Sequence, residues 1–124
     1  MGLSAPSSVG AYLYPRAMEE KASVHIPRGG DCVVVVGCAD LNLADDLDAA
    51  IYTVSRTHAS VLVDLERATL LDSRVIAVLA AWNRRLRARS GGLPLACENP
   101  NIRRLFQMMG LDGEFDFVQQ RVRS

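Results

Sequence analysis

Three short apolar runs, beginning at Cys32, Ser60 and Leu93, each give way to a stretch whose apolar residues recur at helical spacing. Strand followed by helix, repeated, is the pattern of an α/β domain with a largely parallel sheet and right-handed crossovers. Cys32-Val33-Val34-Val35-Val36 is β-branched and wholly apolar. Gly37-Cys38-Ala39-Asp40 is expected to leave the sheet. Beyond it Leu43, Leu47, Ala50, Ile51 and Val54 share one helical face. Asp45, Asp46 and Asp48 crowd the first turns, where the helix dipole favours negative charge. Ser60–Leu65 is expected to be buried on both faces, as in a parallel sheet.

Asp72 or Ser73 is suited to cap the next helix. Its stripe is Val75, Leu79, Trp82 and Leu86, it runs to about Arg89, and Gly91-Gly92 stops it. Leu93–Cys97 is interrupted by Pro94, which marks a strand that is short or near an edge. Asn99-Pro100 reads as an N-cap with proline in the first helical position. Ile102, Leu105, Phe106 and Met109 supply that helix's apolar face, and Gly110 suits the position after it. Phe115–Val118 is a candidate closing strand.

Upstream, Ala22–Ile26 alternates apolar and polar, and Pro27-Arg28-Gly29-Gly30-Asp31 is a strong turn. The pair predicts an antiparallel hairpin. The expected order is β-β-α-β-α-β-α with a final strand, and order alone leaves open whether the helices cover one face or both. Residues 1–20 read as a flexible or loosely docked extension, with Tyr12, Leu13 and Tyr14 able to dock. Residues 21–118 form the domain, and 119–124 a tail.

Composition narrows the function. Fourteen basic and fourteen acidic residues cancel, so no bulk charge draws the chain to nucleic acid or to an anionic membrane. The longest apolar runs are too short to span a bilayer, and the first residues lack a signal-peptide pattern. Three cysteines, Cys32, Cys38 and Cys97, are odd in number and irregular in spacing, which argues against a disulfide framework or a four-ligand zinc site. Cys32 and Cys97 read as small core residues in a reducing compartment, and a cytoplasmic location is expected.

No glycine-rich phosphate loop and no paired metal-ligand spacing is present, so no cofactor and no metal is expected. His25 and His58 read as surface or boundary residues. Ser73 has no nucleophile-elbow glycines around it. Asp64, Glu66 and Asp72 could suggest a receiver-like acidic site, but the lone lysine, Lys21, precedes the first strand. No catalytic residue is assigned, and the chain is expected not to be an enzyme. Ser73 has another property. A phosphoryl group at a helix start meets free backbone N–H groups and the positive end of the dipole. Plain N-capping by Asp72 or Ser73 is the simpler reading and stays open.

These residues carry a family likeness. Val36-Gly37-Cys38-Ala39-Asp40, then Val61–Leu65 with Leu70-Leu71-Asp72-Ser73, then Asn101–Phe106 with Gly110-Leu111, resemble in order and spacing the STAS domains, particularly the anti-sigma factor antagonists. The resemblance implies a STAS-like (SpoIIAA-like) α/β fold, a mixed, largely parallel four- to five-stranded sheet with helices packed on it. It implies a partner-switching role in transcription control. The partner would be an anti-sigma factor of the GHKL serine-kinase type, with a phosphatase opposing it. Ser73 would be the phosphoacceptor, and Asp40, Leu41, Asn42, Asp72, Ser73 and Arg74 the contact surface. A homodimer stays open.

The chain departs from the family pattern beside the serine. The family continues Asp-Ser with Ser or Thr and then Gly-Leu, and here Arg74-Val75-Ile76 follows. That departure motivates an alternative: a diverged, non-phosphorylated STAS module serving as a scaffold or a transporter-accessory subunit.

Overall fold

A computed structural model describes residues 22–119. The expected extension at 1–20, its Tyr12-Leu13-Tyr14 docking segment and tail residues 120–124 lie outside the described residues. Strands β1 (Ser23–His25), β2 (Cys32–Ala39), β3 (Leu62–Leu71), β4 (Leu95–Ala96) and β5 (Phe117–Val118) form one sheet in sequential order. Helices α1 (Ala44–Ser55), α2 (Ser73–Arg87) and α3 (Pro100–Met108) connect the strands from β2 onward. β1 pairs antiparallel with β2, and every later pair is parallel. The hairpin is the one expected.

The order decides where the helices go. Right-handed crossovers that always step to the next strand in the same direction place every helix on the same face of the sheet. The core agrees. Val33 and Val35 of β2, Val63 and Leu65 of β3 and Leu95 of β4 share one buried cluster with all three helices. Leu47, Ile51 and Val54 come from α1, Val75, Leu79, Trp82 and Leu86 from α2, and Ile102 and Phe106 from α3. The expected apolar stripes of α1 and α2 thus face the core, although Leu43 and Ala50 only border it. Met109 departs from its expected role and is 44% exposed, because the chain leaves the helix there.

Several strand expectations need correction. Gly37–Asp40 does not leave the sheet: β2 runs through Ala39, and Gly37 takes a positive φ of 79° inside it. β3 starts at Leu62 and runs ten residues to Leu71, well beyond Leu65. It is buried on one face, since Leu62 and Asp64 alternate with Val63 and Leu65 and are only partly covered. Asp64 and Glu66 therefore sit within a strand, not at its end. Two register shifts set ten residues of β3 against eight of β2, so β3 carries two bulges. Thr69 lies at the second, and its Oγ1 is a buried side-chain atom without a hydrogen-bond partner among the described residues. β4 is short but not an edge, since it lies between β3 and β5. Pro94 is tolerated because it precedes the strand and its carbonyl accepts the Val63 N–H at 3.0 Å. Cys97 is buried, whereas Cys32 is only half-buried.

Two polar contacts tie helices to their surroundings. The Trp82 indole N–H donates to Asp48 at 2.6 Å, joining α2 to α1. Buried Asn83 donates to the Glu114 carbonyl at 2.7 Å and accepts from the Leu93 N–H at 3.1 Å. It satisfies backbone groups ahead of both β4 and β5. α2 ends at Arg87 rather than Arg89, and Ser90, with φ 68°, makes the reversal. The Gly91 N–H then closes on the Leu86 carbonyl at 2.8 Å. A Cβ at Gly91 would lie 1.7 Å from the Ala59 carbonyl oxygen, whereas one at Gly92 would meet nothing within 4 Å.

That contrast gives a stability test by chemical denaturation. Gly91→Ala must push two backbone segments apart and is expected to cost about 2 kcal/mol or more. Gly92→Ala is expected to stay within about 0.5 kcal/mol of the parent.

Candidate functional site

β2 and β3 end in step. Ala39 pairs with Leu71, and the next residue on each strand is an aspartate, Asp40 and Asp72. The Asp72 N–H donates to the Ala39 carbonyl at 2.9 Å, so the two chain exits are bonded to each other. Each aspartate then caps the helical turn that follows. Asp40 accepts the Asn42 N–H at 2.9 Å and starts a 3-10 turn, Leu41–Leu43, that leads into α1. Asp72 accepts the Arg74 N–H at 2.8 Å and starts α2. Both adopt the extended backbone an N-cap requires. Of the two capping candidates read from sequence, Asp72 is the one used.

The 3-10 turn lies against α2, which brings the two segments that hold the six candidate residues to the same end of the sheet. Asp40, Leu41, Asn42, Ser73 and Arg74 are exposed, and Asp72 is half-buried. Leu41 is half open to solvent, an apolar side chain among polar neighbours. Ser73 follows β3 directly, with Asp72 alone between strand and helix. The serine is therefore held by a ladder on one side and by a helix of fifteen residues on the other.

The residues after Ser73 divide cleanly. Arg74 points to solvent, whereas Val75 is wholly buried and belongs to the core. The β-branched side chain that replaces the family's glycine thus fills the interior and leaves the surface around Ser73 open. Arg74 places a guanidinium in the first turn, unfavourable to the dipole but well matched to an anion.

Cys97 is a buried thiol. Burial pushes its pKa above the ordinary value, and the Glu66 and Asp64 carboxylates push the same way. A backbone hydrogen bond at Asn99 and the charge of Arg103 oppose this. The net direction keeps the thiol protonated, as befits a core residue. Among the described residues no group of three or more His, Cys, Asp or Glu could hold a metal ion. None of their helices is long and apolar enough to cross a membrane. An open groove at the start of α3, lined by Glu98, Arg103, Arg104 and Gln107 among others, includes none of the six candidate residues.

The sheet order, the capped strand ends and the single-faced helix layer define a class, and comparison agrees. Residues 23–120 match the family model described as "Mlab, STAS domain". The chain belongs to the STAS domain family. No curated protein matches it by sequence. An anti-sigma factor antagonist from Mycobacterium paratuberculosis is 26% identical, with a TM-score of 0.68 over 83% of this chain and 88% of that one. The unphosphorylated anti-sigma factor antagonist SpoIIAA is 20% identical, with a TM-score of 0.62 over 83% of this chain and 92% of that one. The Bacillus cell fate determinant SpoIIAA in its phosphorylated form is 20% identical, with a TM-score of 0.60 over 83% of this chain and 96% of that one. The fold is the mixed, mostly parallel α/β arrangement of these proteins.

Removal of the cap at α2 is a direct test of the local architecture. Asp72→Ala is expected to lower unfolding free energy by about 1 kcal/mol, and Asp72→Asn by a few tenths, since the amide oxygen still accepts. Urea titration of both variants checks the difference.

Proposed function

We propose that this chain is an anti-sigma factor antagonist that works by binding rather than by catalysis, in the cytoplasm. Its partner is an anti-sigma factor of the GHKL serine-kinase type, met through Asp40, Leu41, Asn42, Asp72, Ser73 and Arg74. Ser73 is the phosphoacceptor, and a phosphatase restores the free hydroxyl. The single observation that carries the reading is the placement of Ser73. It is exposed in the first turn of α2, beside Asp40 and Asp72 and clear of the core.

The physical consequence is electrostatic. A phosphoryl group adds about −1.5 to −2 charge at neutral pH. Here it would join two carboxylates on one small surface and repel an acidic partner face. The helix dipole and the Arg74 guanidinium offset that charge within the chain. The fold is therefore kept while the surface changes. Solved structures of similar fold support the general role, since they are anti-sigma factor antagonists.

Two observations favour a second reading. Arg74 stands exposed where the family pattern has Ser or Thr, and the matching family model carries the description Mlab. A diverged STAS module, not phosphorylated and serving a scaffold or a transporter, fits those two facts.

Incubation with the cognate kinase and ATP, followed by intact mass, separates the readings. The expected result is a gain of one phosphoryl group, absent in Ser73→Ala. Kinase affinity should then fall by at least about tenfold, or 1.4 kcal/mol. Kinase binding without any mass gain overturns the phosphoswitch and leaves the second reading.

A further inference from the structure

A net charge of zero hides a segregation of charge along the helix layer. α1 and α2 follow parallel strands, so both start at the end that carries Asp40 and Ser73 and both finish at the opposite end. Asp45, Asp46 and Asp48 stand in the first turns of α1. Arg84, Arg85 and Arg87 stand in the last turn of α2, Arg89 follows it, and Arg56 follows α1. No carboxylate occurs in sequence between Asp48 and Asp64, or between Asp72 and Glu98. The far end of the two helices is therefore a basic pole. Glu114 engages part of it: its carboxylate pairs with Arg84 at 3.2 Å, and its carbonyl accepts from Arg87 at 3.0 Å.

The other three arginines are held differently. Arg85 lies over the Trp82 ring, 4.3 Å from its centroid, and Arg56 over the Tyr52 ring at 6.0 Å. The two rings are 6.4 Å apart. Arg89 donates to the Ser55 carbonyl at 3.3 Å, which ties the turn after α2 to the end of α1. These contacts join Arg56, Arg85 and Arg89 into one exposed cluster across both helices, around a tyrosine that is 55% exposed. None of the three forms an ion pair among the described residues. Stacking fixes the plane of a guanidinium and leaves its N–H donors at the edge available. Less side-chain freedom is then lost when an acceptor arrives.

A planar fork with parallel donors matches a carboxylate. The size of the pole selects among anions. Asp48 lies four residues before Tyr52, about 6 Å along the helix, and Asp45 and Asp46 are within about 11 Å. A lipid surface or a nucleic-acid backbone spreads its charge beyond that distance and meets those carboxylates, whereas a short peptide does not.

We propose that the far ends of α1 and α2 form a docking site for a short acidic segment of a partner protein. Arg56, Arg85 and Arg89 bind its carboxylates, and the Tyr52 ring supplies apolar contact. The site lies at the opposite end of the helices from Ser73, so it does not rest on the phosphoswitch and can be filled whatever the state of that serine.

The full chain and a decaglutamate peptide test this at low salt. Trp82 is the chain's single tryptophan and lies under Arg85, so a saturable change in its emission on titration locates binding at the cluster. Anisotropy of the labelled peptide measures affinity in every chain. Arg56→Gln, Arg85→Gln and Arg89→Gln together should raise Kd at least about tenfold. Removing as many charges elsewhere, by Arg28→Gln, Arg103→Gln and Arg104→Gln, should change Kd by less than about threefold. Should the triple cluster variant lose its urea transition, the pair Arg56→Gln and Arg89→Gln, which keeps the Trp82 stack, replaces it with the same expected direction. No saturable binding by the parent, or equal weakening in the cluster and control variants, overturns the site. Tighter binding to phosphatidylglycerol vesicles than to the peptide, lost in the cluster variant, overturns it in favour of a membrane surface. A doubled mass in sedimentation that the cluster variant returns to a single chain overturns it in favour of a second copy.

Discussion

The pairing of β2 with β3 is the constraint on which the rest depends. Both strands are interior to the sheet, and both hand the chain to a helical turn at the same end. The bond from the Asp72 N–H to the Ala39 carbonyl ties those two exits together. Each exit must place an aspartate in extended backbone, and each aspartate then satisfies an N–H that the following turn leaves unpaired. The candidate surface is thus a by-product of two strands finishing level. The bulges make this possible. If the register of Cys32 with Leu62 ran on unbulged, Asp40 would stand beside Leu70, with Asp72 two residues further on.

From that ladder the sheet grows in one direction only. Each β-α unit adds its strand to the outer edge and its helix to the same face, so the three helices share one core with one side of the sheet. Polar contacts hold what apolar packing leaves loose. Asn83 is the clearest case, a buried amide that stitches α2 to the segments before β4 and β5. Arg87 and Arg84 add contacts to the same Glu114, outside the core.

Much of this was legible in the chain. Strand-helix alternation, the stripe of α2, the Asn99-Pro100 start and the hairpin turn rest on local periodicity and local turn chemistry, which neighbouring residues alone decide. What escaped is non-local. β3 reads as ending at Leu65 because Glu66 and Arg67 are exposed and a bulge breaks the alternation there. Pro94 suggested an edge, yet the strand is interior because its ladder uses the Pro94 carbonyl. Met109 looked like a core residue by spacing, but the helix is over before its side chain can turn inward. At the site, the place of Asp72 and Ser73 at a helix start could be anticipated from local turn chemistry. The meeting of Asp40 with Asp72 could not, since it depends on how many residues the bulges absorb. Asn83 gave no signal, for a buried amide inside a helix looks like any polar residue in sequence.

The two margins of the sheet are brief: β1 has three residues and β5 has two. A long open margin is a template on which another chain can build a ladder, so its length governs the risk of edge-to-edge aggregation. This sheet keeps its long strands, β2 and β3, inside, where each is laddered against the other along most of its length. The described margins offer an incoming strand only a few bonds. A STAS domain built in this way can present a sheet without inviting its own copies to extend it.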